Sequence, residues 1–491
     1  MKSKFSKVLS ILLSIVLVIS SFYLLYQVIR LNVLPSKFLF PLTIGVVVLD
    51  AIFILLLIYF SRNVVSKIIC IILTLFICLA SCMGGYYISK TQGALSNITS
   101  VAKHAKNTVS VIVKESSSIK NKSQLNGVSV GTLRLNEQGS KKALKELSSE
   151  GIVLNQTEYD SMTALLEAFY NGEVDSIIIN ESSRSQILDM EAYSNFDSNT
   201  RVVYQTSYKV KNNDSASSVS DITSKPFNVL ISGSDSRGGF DENGRSDVIM
   251  VATVNPKTHT ILLTSVPRDF YVTTACDAGD GCMQGALDKI THTGIHGTNT
   301  TKRTVEQLLG IEINYTFKVG FDTVTELVDV LGGVDVYVEP GYATTTSEFS
   351  VHEGVNHLNA QQALAFARER YSYTEGDRQR TKNQQQVLMG IVKEATKPSV
   401  ITNYAAIMDT MANTFSTTMS NEEITALIKY QLNNNPTWKM EQYMVDGTGD
   451  TLMCAELGDA ASVMVPDQST VKTAKDKINA VLAGKSSEDV Q

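Results

Sequence analysis

At 491 residues the chain has room for two or three domains, and roughly its first ninety residues are a different material from the rest. A formal net charge of −6 argues against a nucleic-acid-binding chain, because no overall basic balance is present to meet a phosphate backbone. The six cysteines and six histidines show no CxxC pair and no HExxH, which argues against a zinc site.

Apolar runs cover roughly Val8–Ile29, Phe38–Phe60 and Ile68–Ile88. Each is about long enough to cross a hydrocarbon core as a helix. A secretory signal offers one shorter run and a small-residue cleavage site, so three runs predict three membrane spans. Asp50 inside the second run carries a cost but does not outweigh its apolar neighbours. Lys2, Lys4 and Lys7 precede the first run, and Arg62 and Lys67 fill the loop between the second and third. The positive-inside rule places those ends in the cytoplasm, and an odd number of spans sends everything after about residue 90 outside. Cys70, Cys78 and Cys82 in the third run read as small packing residues.

Residues 91–210 are expected to form an extracellular α/β accessory domain. VSVIVK, VSVGTL and DSIIIN have the β-branched character of buried strands, with helices near Ser140–Ser149 and Ser161–Tyr170 between them. Their order resembles part of a solute-binding domain at the level of fold only. No charged constellation marks a ligand site there, so the expected role is accessory or spacing. Lys211–Lys225 is polar, serine-rich and reads as a linker.

A larger α/β domain is expected over residues 226–491, a central sheet covered by helices. FNVLIS runs as a strand into Gly233-Ser234-Asp235-Ser236-Arg237. VIMVATV and TILLTSVP follow as strands around an Asn255-Pro256-Lys257 turn, then NYTFKVGF, a helix from about Asp322 to Leu331, and VDVYV. Further helices are expected near Asn359–Arg370, Asp377–Thr396, Glu422–Leu432 and Thr470–Leu482. Cys276 and Cys282 flank Asp277-Ala278-Gly279-Asp280-Gly281 and either close that loop as a disulfide or stay reduced.

Polar residues collect at the strand ends. Asp235 follows the first strand of this domain, Arg245 and Asp247 open the second, and Arg268 and Asp269 follow the third. Antiparallel pairing of the second and third strands brings those ends to one sheet edge. Carboxylates beside a phosphate are a usual way to hold Mg²⁺, which takes only one or two acids from the protein. Surface ion pairing is the plain alternative for Arg245 and Asp247.

Four of the thirteen arginines fall within residues 368–380: Arg368, Arg370, Arg378 and Arg380. Arginine grips phosphate or carboxylate oxygens with a planar fork of donors. Asn359 and Gln362 have capping-box spacing, and Asp377 is placed to cap the next helix. That helix carries an apolar stripe of Val387, Leu388, Ile391 and Ala395, and stepping back by four reaches Gln384 and then Arg380. An arginine aimed inward near a helix N-terminus calls for an anion. Arg378 is rotated off the stripe and reads as a solvated bystander. His292 and His296, four apart with no acid motif, read as packing or hydrogen-bonding residues, and no GxSxG elbow or Walker loop is present.

The ordered set GSDSR, GRSDVIMVATVNP, LLTSVPRD, DKITHTGIHG, LVDVLGGVDVYV, HLNAQQALAFARER and GDRQRTKNQQQ resembles the LytR–CpsA–Psr family of cell-envelope proteins over residues 227–398. The three spans and the accessory module resemble its capsule-associated branch. The resemblance implies a membrane-anchored extracellular transferase in a Gram-positive-type envelope. It would move a glycopolymer, capsular or teichoic-acid-like, from a polyprenyl-pyrophosphate carrier to peptidoglycan, leaving a phosphodiester link with Mg²⁺ assisting.

Carried residue by residue, Asp235 and Asp247 match the metal-binding acids. Arg245, Arg268, Arg368, Arg370 and Arg380 match the arginines around the pyrophosphate, with Gln384 as a polar contact and Arg303 as a looser match. Asp235, Asp247, Arg268 and Arg368 are the expected catalytic set. Asn383 stands where many members carry another arginine. The lipid tail calls for an apolar slot, expected between the sheet and the Val387–Ile391 stripe. Partners so implied are the lipid-linked glycan, peptidoglycan, the membrane and capsule-assembly proteins, but not nucleic acid. Alternatives are a pyrophosphatase acting on the same lipid, with water in place of the sugar, and a membrane regulator of envelope synthesis.

Overall fold

The structure is a computed structural model that describes all residues except 1, 61–62, 102–103, 135–136, 212–214, 235–241, 278–280, 398–405, 413–414 and 491. It divides into two compact units.

One unit joins residues 1–97 to 396–412 and 420–436. Its three long helices are Lys2–Leu31, Ser36–Leu55 (continued by a π-turn over Leu56–Phe60) and Val64–Val101. All three are long and apolar enough to cross a membrane. Asp50 does not stand alone there, since the Ser21 hydroxyl donates to it at 2.9 Å. The helix Asn421–Asn434 starts with a Ser420/Glu423 capping box and belongs to this unit. Lys429 reaches Asn32 Oδ1 at 2.5 Å and Lys37 reaches the Asn433 carbonyl at 2.5 Å, so the turn between the first two apolar helices is tied to that helix.

The other unit contains two sheets. The first has five strands in the order Asn155–Tyr159, Ser129–Leu133, Ser176–Asn180, His104–Lys114, Thr200–Lys211. The first three run parallel to one another, and the long pair 104–114/200–211 is antiparallel with a register shift at Val111/Ile112. Ile112, Ile177 and Ile179 meet Leu165, Leu166 and Phe169 of the helix Met162–Asn171 on one face. Val109, Val111, Val130 and Ile178 meet Ala143 and Leu147 of the helix Glu137–Ser149 on the other. Burial on both faces explains why these strands read as unbroken apolar runs. The strands 155–159 and 200–211 escaped the sequence reading because they are edge strands with polar, exposed positions.

The second sheet has six strands in the order Phe415–Thr417, Tyr315–Gly320, Phe227–Ser234, Ser246–Asn255, Thr260–Ser265, Lys439–Met444. The 315–320/227–234 and 439–444/260–265 pairs are parallel, and the other neighbours are antiparallel. The helices Thr298–Leu309 and Gln468–Leu482 cover one face, where Val305, Leu309, Ala474, Ile478 and Val481 pack on Leu230, Val251 and Leu262. The helix Asp377–Ala395 approaches through Gln385, whose amide donates to the carbonyls of Leu263 at 3.3 Å and Tyr443 at 2.9 Å.

In the segment expected to be a linker, residues 215–219 lie along the second sheet's domain: Ser217 N–H donates to Asn314 O, Val219 N–H to the Tyr315 hydroxyl, and Lys302 to Ser215 O. One expectation needs correction here. The slot expected beside Val387 and Ile391 is filled, because both side chains are buried in a core with Val334, Val336, Leu358, Ala363 and Phe366.

Candidate active site

The hairpin of strands 246–255 and 260–265 builds the site. Met250 pairs with Ser265, and Val266 N–H extends the ladder to Ile249 O at 2.9 Å. The chain leaving the second strand therefore passes the start of the first, as the antiparallel reading requires. Arg268 Nη1 donates to Asp247 Oδ1 at 3.1 Å, and the Thr291 hydroxyl donates to the same oxygen at 3.2 Å. A short 3₁₀ stretch, Ile290–His296, fixes this register: Thr291 N–H bonds Arg268 O at 3.0 Å and Ile290 N–H bonds Phe270 O at 2.8 Å. Beneath it, the hydroxyls of Ser232, Ser246, Thr301 and Thr293 form a buried chain with links of 2.9, 3.1 and 2.9 Å. Each hydroxyl satisfies a neighbour, so the chain fixes the start of the Asp247 strand without an unpaired polar group.

Around Asp247 the charges converge. Arg245 Nη2 lies 3.9 Å from Asp247 Oδ2, and Arg245 Nη1 also pairs with Asp189 from the first sheet's module. Arg268 Nε lies 3.7 Å from Asp269, which pairs in turn with Lys289 at 3.3 Å. Arg380 pairs with Asp377 one helical turn earlier. The side chains of Asp247, Arg268 and Arg380 are only 14%, 16% and 13% exposed. Burial pushes the Asp247 carboxyl up, but Arg245, Arg268 and Arg380 outweigh it and hold it below its ordinary 3.8. Arg268 feels the same burial yet stays firmly charged because Asp247, Asp269 and Asp377 surround it.

Arg380 goes the other way. Burial, with repulsion from Arg268 and Arg370, lowers its pKa despite attraction to Asp377 and Asp247. Among the described residues, the Nε groups of Arg268 and Arg380 are buried without a hydrogen-bond partner, although Arg268 Nε lies 3.7 Å from Asp269. Guanidinium donors of this kind are able to take anionic oxygens.

Of the residues singled out from sequence, Arg245, Asp247, Arg268 and Arg380 are brought together, and Arg370 is close enough to act on Arg380. The Arg370 guanidinium stacks 4.6 Å from the ring centre of Tyr371, which is itself exposed. Arg368 is exposed at the last residue of its helix, and Gln384 is half-buried on the helix that carries Arg380. Arg303 pairs with Asp277, which also accepts from Asn299 at 3.1 Å. Asp277 follows Cys276, which is joined to Cys282 in a disulfide. Asp235 lies outside the described residues.

Three local readings change. Asp377 is the first residue of its helix rather than the cap, following Gly376 at φ +54°, and its carboxylate holds Arg380. Arg378 is solvated, with 42% of its side chain exposed, but not without partners: it pairs with Asp446 at 2.8 Å and donates to Gly447 O at 2.9 Å. Asn383 is 1% exposed, donates to Phe366 O at 3.0 Å and accepts from Gln379 at 3.0 Å. It ties the Arg380 helix to the end of the Arg368 helix instead of facing a ligand.

Sequence reasoning missed Lys289, Thr291 and Asp189. The first two lie inside DKITHTGIHG, where a lysine and a hydroxyl next to a strand end were available signals. Asp189 carried none, because only the docking of two modules brings it in. His292 and His296 hydrogen-bond Asp288 at 2.7 Å and Glu456 at 2.9 Å. No group of three or more metal-capable side chains occurs among the described residues.

The LytR_cpsA_psr family model matches residues 192–480, more than half of the chain. Among curated proteins, the chain is 31% identical over 236 residues to the Bacillus cereus (strain AH820) polyisoprenyl-teichoic acid–peptidoglycan teichoic acid transferase TagU, covering 48% of this chain and 74% of that one. It is 35% identical over 196 residues to the Bacillus subtilis (strain 168) protein of the same name, covering 40% and 60%. The crystal structure of B. subtilis TagU aligns with 28% identity and a TM-score of 0.41, over 52% of this chain and 97% of that one.

Proposed function

The chain belongs to the LytR–CpsA–Psr family, and on that premise we propose that it is a membrane-anchored transferase. It moves a glycopolymer from a polyprenyl-pyrophosphate carrier to peptidoglycan on the outer side of the membrane. The observation that carries this reading is the largely buried cluster of Arg245, Arg268 and Arg380 around Asp247, with two guanidinium Nε groups that have no hydrogen-bond partner among the described residues. A pyrophosphate supplies the charge and the acceptor oxygens that this cluster lacks. The polymer is anionic-envelope material of the capsular or teichoic-acid class, and the three apolar helices keep the enzyme beside its lipid-borne donor.

The reaction requires an acceptor sugar hydroxyl to attack the phosphorus on the glycan side. The bond from that phosphorus to the lipid-side phosphate breaks, and the lipid leaves as its monophosphate. Such transfer depends on positioning and charge neutralisation more than on a covalent nucleophile. Arg245, Arg268 and Arg380 bind the diphosphate and stabilise charge on the leaving phosphate, and Arg368, Arg370 and Gln384 are the further contacts that the family resemblance assigns to it.

Asp247 offers Mg²⁺ an ionised carboxylate: its Oδ1 takes two hydrogen bonds, and among the described residues Oδ2 has Arg245 Nη2 at 3.9 Å. Asp247 would hold the ion together with Asp235, and the metal would neutralise phosphate charge when bound.

The test is transfer by full-length protein, with Mg²⁺ and a polyprenyl-pyrophosphate glycan, onto peptidoglycan. Arg268→Ala should abolish it, and full transfer by that variant would remove the site assignment. A reporter fused after residue 90 should lie outside the cell, and a cytoplasmic signal would remove the localisation.

A further inference from the structure

The module built on the five-stranded sheet reaches the described part of the candidate site through Asp189. Asp189 is the last residue of the helix Arg184–Asp189, and its carboxylate pairs with Arg245 Nη1. The two partners differ sharply in environment: the Arg245 side chain is 9% exposed and that of Asp189 is 58%. A half-hydrated acid thus covers a buried arginine that belongs to the phosphate-binding cluster.

Asp189 is not a loosely held surface acid. Arg184 grips Glu181 through Nε at 2.5 Å and Nη2 at 2.8 Å, reaches Asp197 through Nη1 at 2.8 Å, and lies 5.5 Å from the centre of the Phe196 ring. Ile187 is fully buried two residues before Asp189. Met190, immediately after it, packs on Cys454, Leu457 and Val463 of the C-terminal hairpin. Thr163 adds bonds to Leu457 O from its N–H at 3.2 Å and its hydroxyl at 3.1 Å. On the other flank, Lys106 and Thr108 both hold Glu242, the lysine at 3.3 Å. The module is therefore fastened on both sides of the contact, and Asp189 is presented to Arg245 from a braced turn.

We propose that Asp189 is a residue of the binding site supplied by the neighbouring module, a competing anion that occupies Arg245 until a pyrophosphate displaces it. The inference rests on the pyrophosphate reading of the site. A buried guanidinium is costly without a counter-charge, and Asp189 supplies one. A pyrophosphate brings more charge to the same nitrogen, and Asp189, already largely hydrated, returns to water at little cost. The module thereby sets how tightly the donor is held and discriminates against weakly charged ligands that cannot displace the carboxylate. A carboxylate that instead only oriented Arg245 for the donor would have the opposite sign, since its removal would weaken binding.

The experiment is calorimetric titration of the full chain in detergent micelles with inorganic pyrophosphate and Mg²⁺. Asp189→Asn and Asp189→Ser should bind roughly three- to fivefold more tightly than the wild type, the scale expected for a partly exposed ion pair. Asp189→Glu should restore wild-type affinity. In an Arg245→Ala background, Asp189→Asn should change nothing, which separates a specific pair from a general charge effect. Unchanged or weaker binding by Asp189→Asn overturns the inference while leaving the pyrophosphate site standing. So does tightening that persists without Arg245. Absence of pyrophosphate binding in both wild type and Asp189→Asn removes the site reading and this inference with it.

Discussion

Arg380→Met separates what the cluster contributes to folding from what it contributes to binding. The arginine is largely buried, its Nε has no hydrogen-bond partner among the described residues, and repulsion from Arg268 and Arg370 offsets the attraction of Asp377 and Asp247. Its charge is therefore poorly compensated in the ligand-free protein. Replacing poorly paired buried ions with an apolar side chain of similar length is often neutral or stabilising by about 1–4 kcal/mol. Asp377 loses its partner but is 27% exposed and can rehydrate, which places the expectation at the low end, about 0–2 kcal/mol of added stability. In a domain of this size that raises the unfolding midpoint by up to about 8 °C. Binding should move the other way. Losing charge-assisted hydrogen bonds to a phosphate costs about 1.5–3 kcal/mol, a fall of roughly ten- to a hundredfold in pyrophosphate affinity. Thermal unfolding without ligand and calorimetry with Mg²⁺-pyrophosphate read the two effects. A variant that melts several degrees lower yet binds pyrophosphate as before would refute the reasoning, because Arg380 would then be a structural ion.

Other substitutions probe the scaffold and the charge state. Asn383→Ala should cost about 1–3 kcal/mol in denaturant unfolding, since it leaves Gln379 and the Phe366 carbonyl unmet in a buried junction. Gly294→Ala should lower stability by about 1–3 kcal/mol and impair pyrophosphate binding, because a Cβ there meets Gly244 O at 2.5 Å and Ser246 N at 2.6 Å beside Asp247. Asp247 has a depressed pKa, so what its ionised form contributes is fully present above its ordinary 3.8 and is lost only as pH falls through the lower folded value. Pyrophosphate binding followed by calorimetry between about pH 5 and about pH 8 should show no inflection from this group. His357 has the opposite sign, raised by its hydrogen bond to Asp335 and further by Gly332 O against a smaller desolvation effect. Its contribution is present below 6.5 and fades as pH rises through the higher folded value, and because the pair is exposed, His357→Gln should cost under about 1 kcal/mol at pH 6 in urea unfolding.

Periodicity exposed the elements buried on both faces, such as 227–234, 246–255 and 176–180, and the helices that carry clear apolar stripes. It failed at edge strands such as 155–159 and at the C-terminal hairpin 447–454/459–466, whose positions are mostly exposed and lack an apolar alternation. The encounter of Asp247 with Arg268 was legible because one hairpin turn determines it. The role of Asn383 was not, since a buried amide tying two helices looks in sequence like any polar residue of a helix. Asp189 was beyond reach for a different reason: its partner lies 56 residues away in another module, and only tertiary docking joins them. Arg378 shows the limit of reasoning from one helix face, since residues off the stripe still meet neighbouring loops such as 446–447.

The central claim is that this charge cluster handles the pyrophosphate of a lipid-linked glycan and passes the glycan phosphate to peptidoglycan. The most direct measurement is mass analysis of the products when full-length protein, Mg²⁺, polyprenyl-pyrophosphate glycan and peptidoglycan are combined. The expected result is glycan joined to peptidoglycan through a phosphodiester, with an equal amount of polyprenyl monophosphate. Free glycan phosphate in place of the adduct, or polyprenyl pyrophosphate glycan left intact, would contradict it.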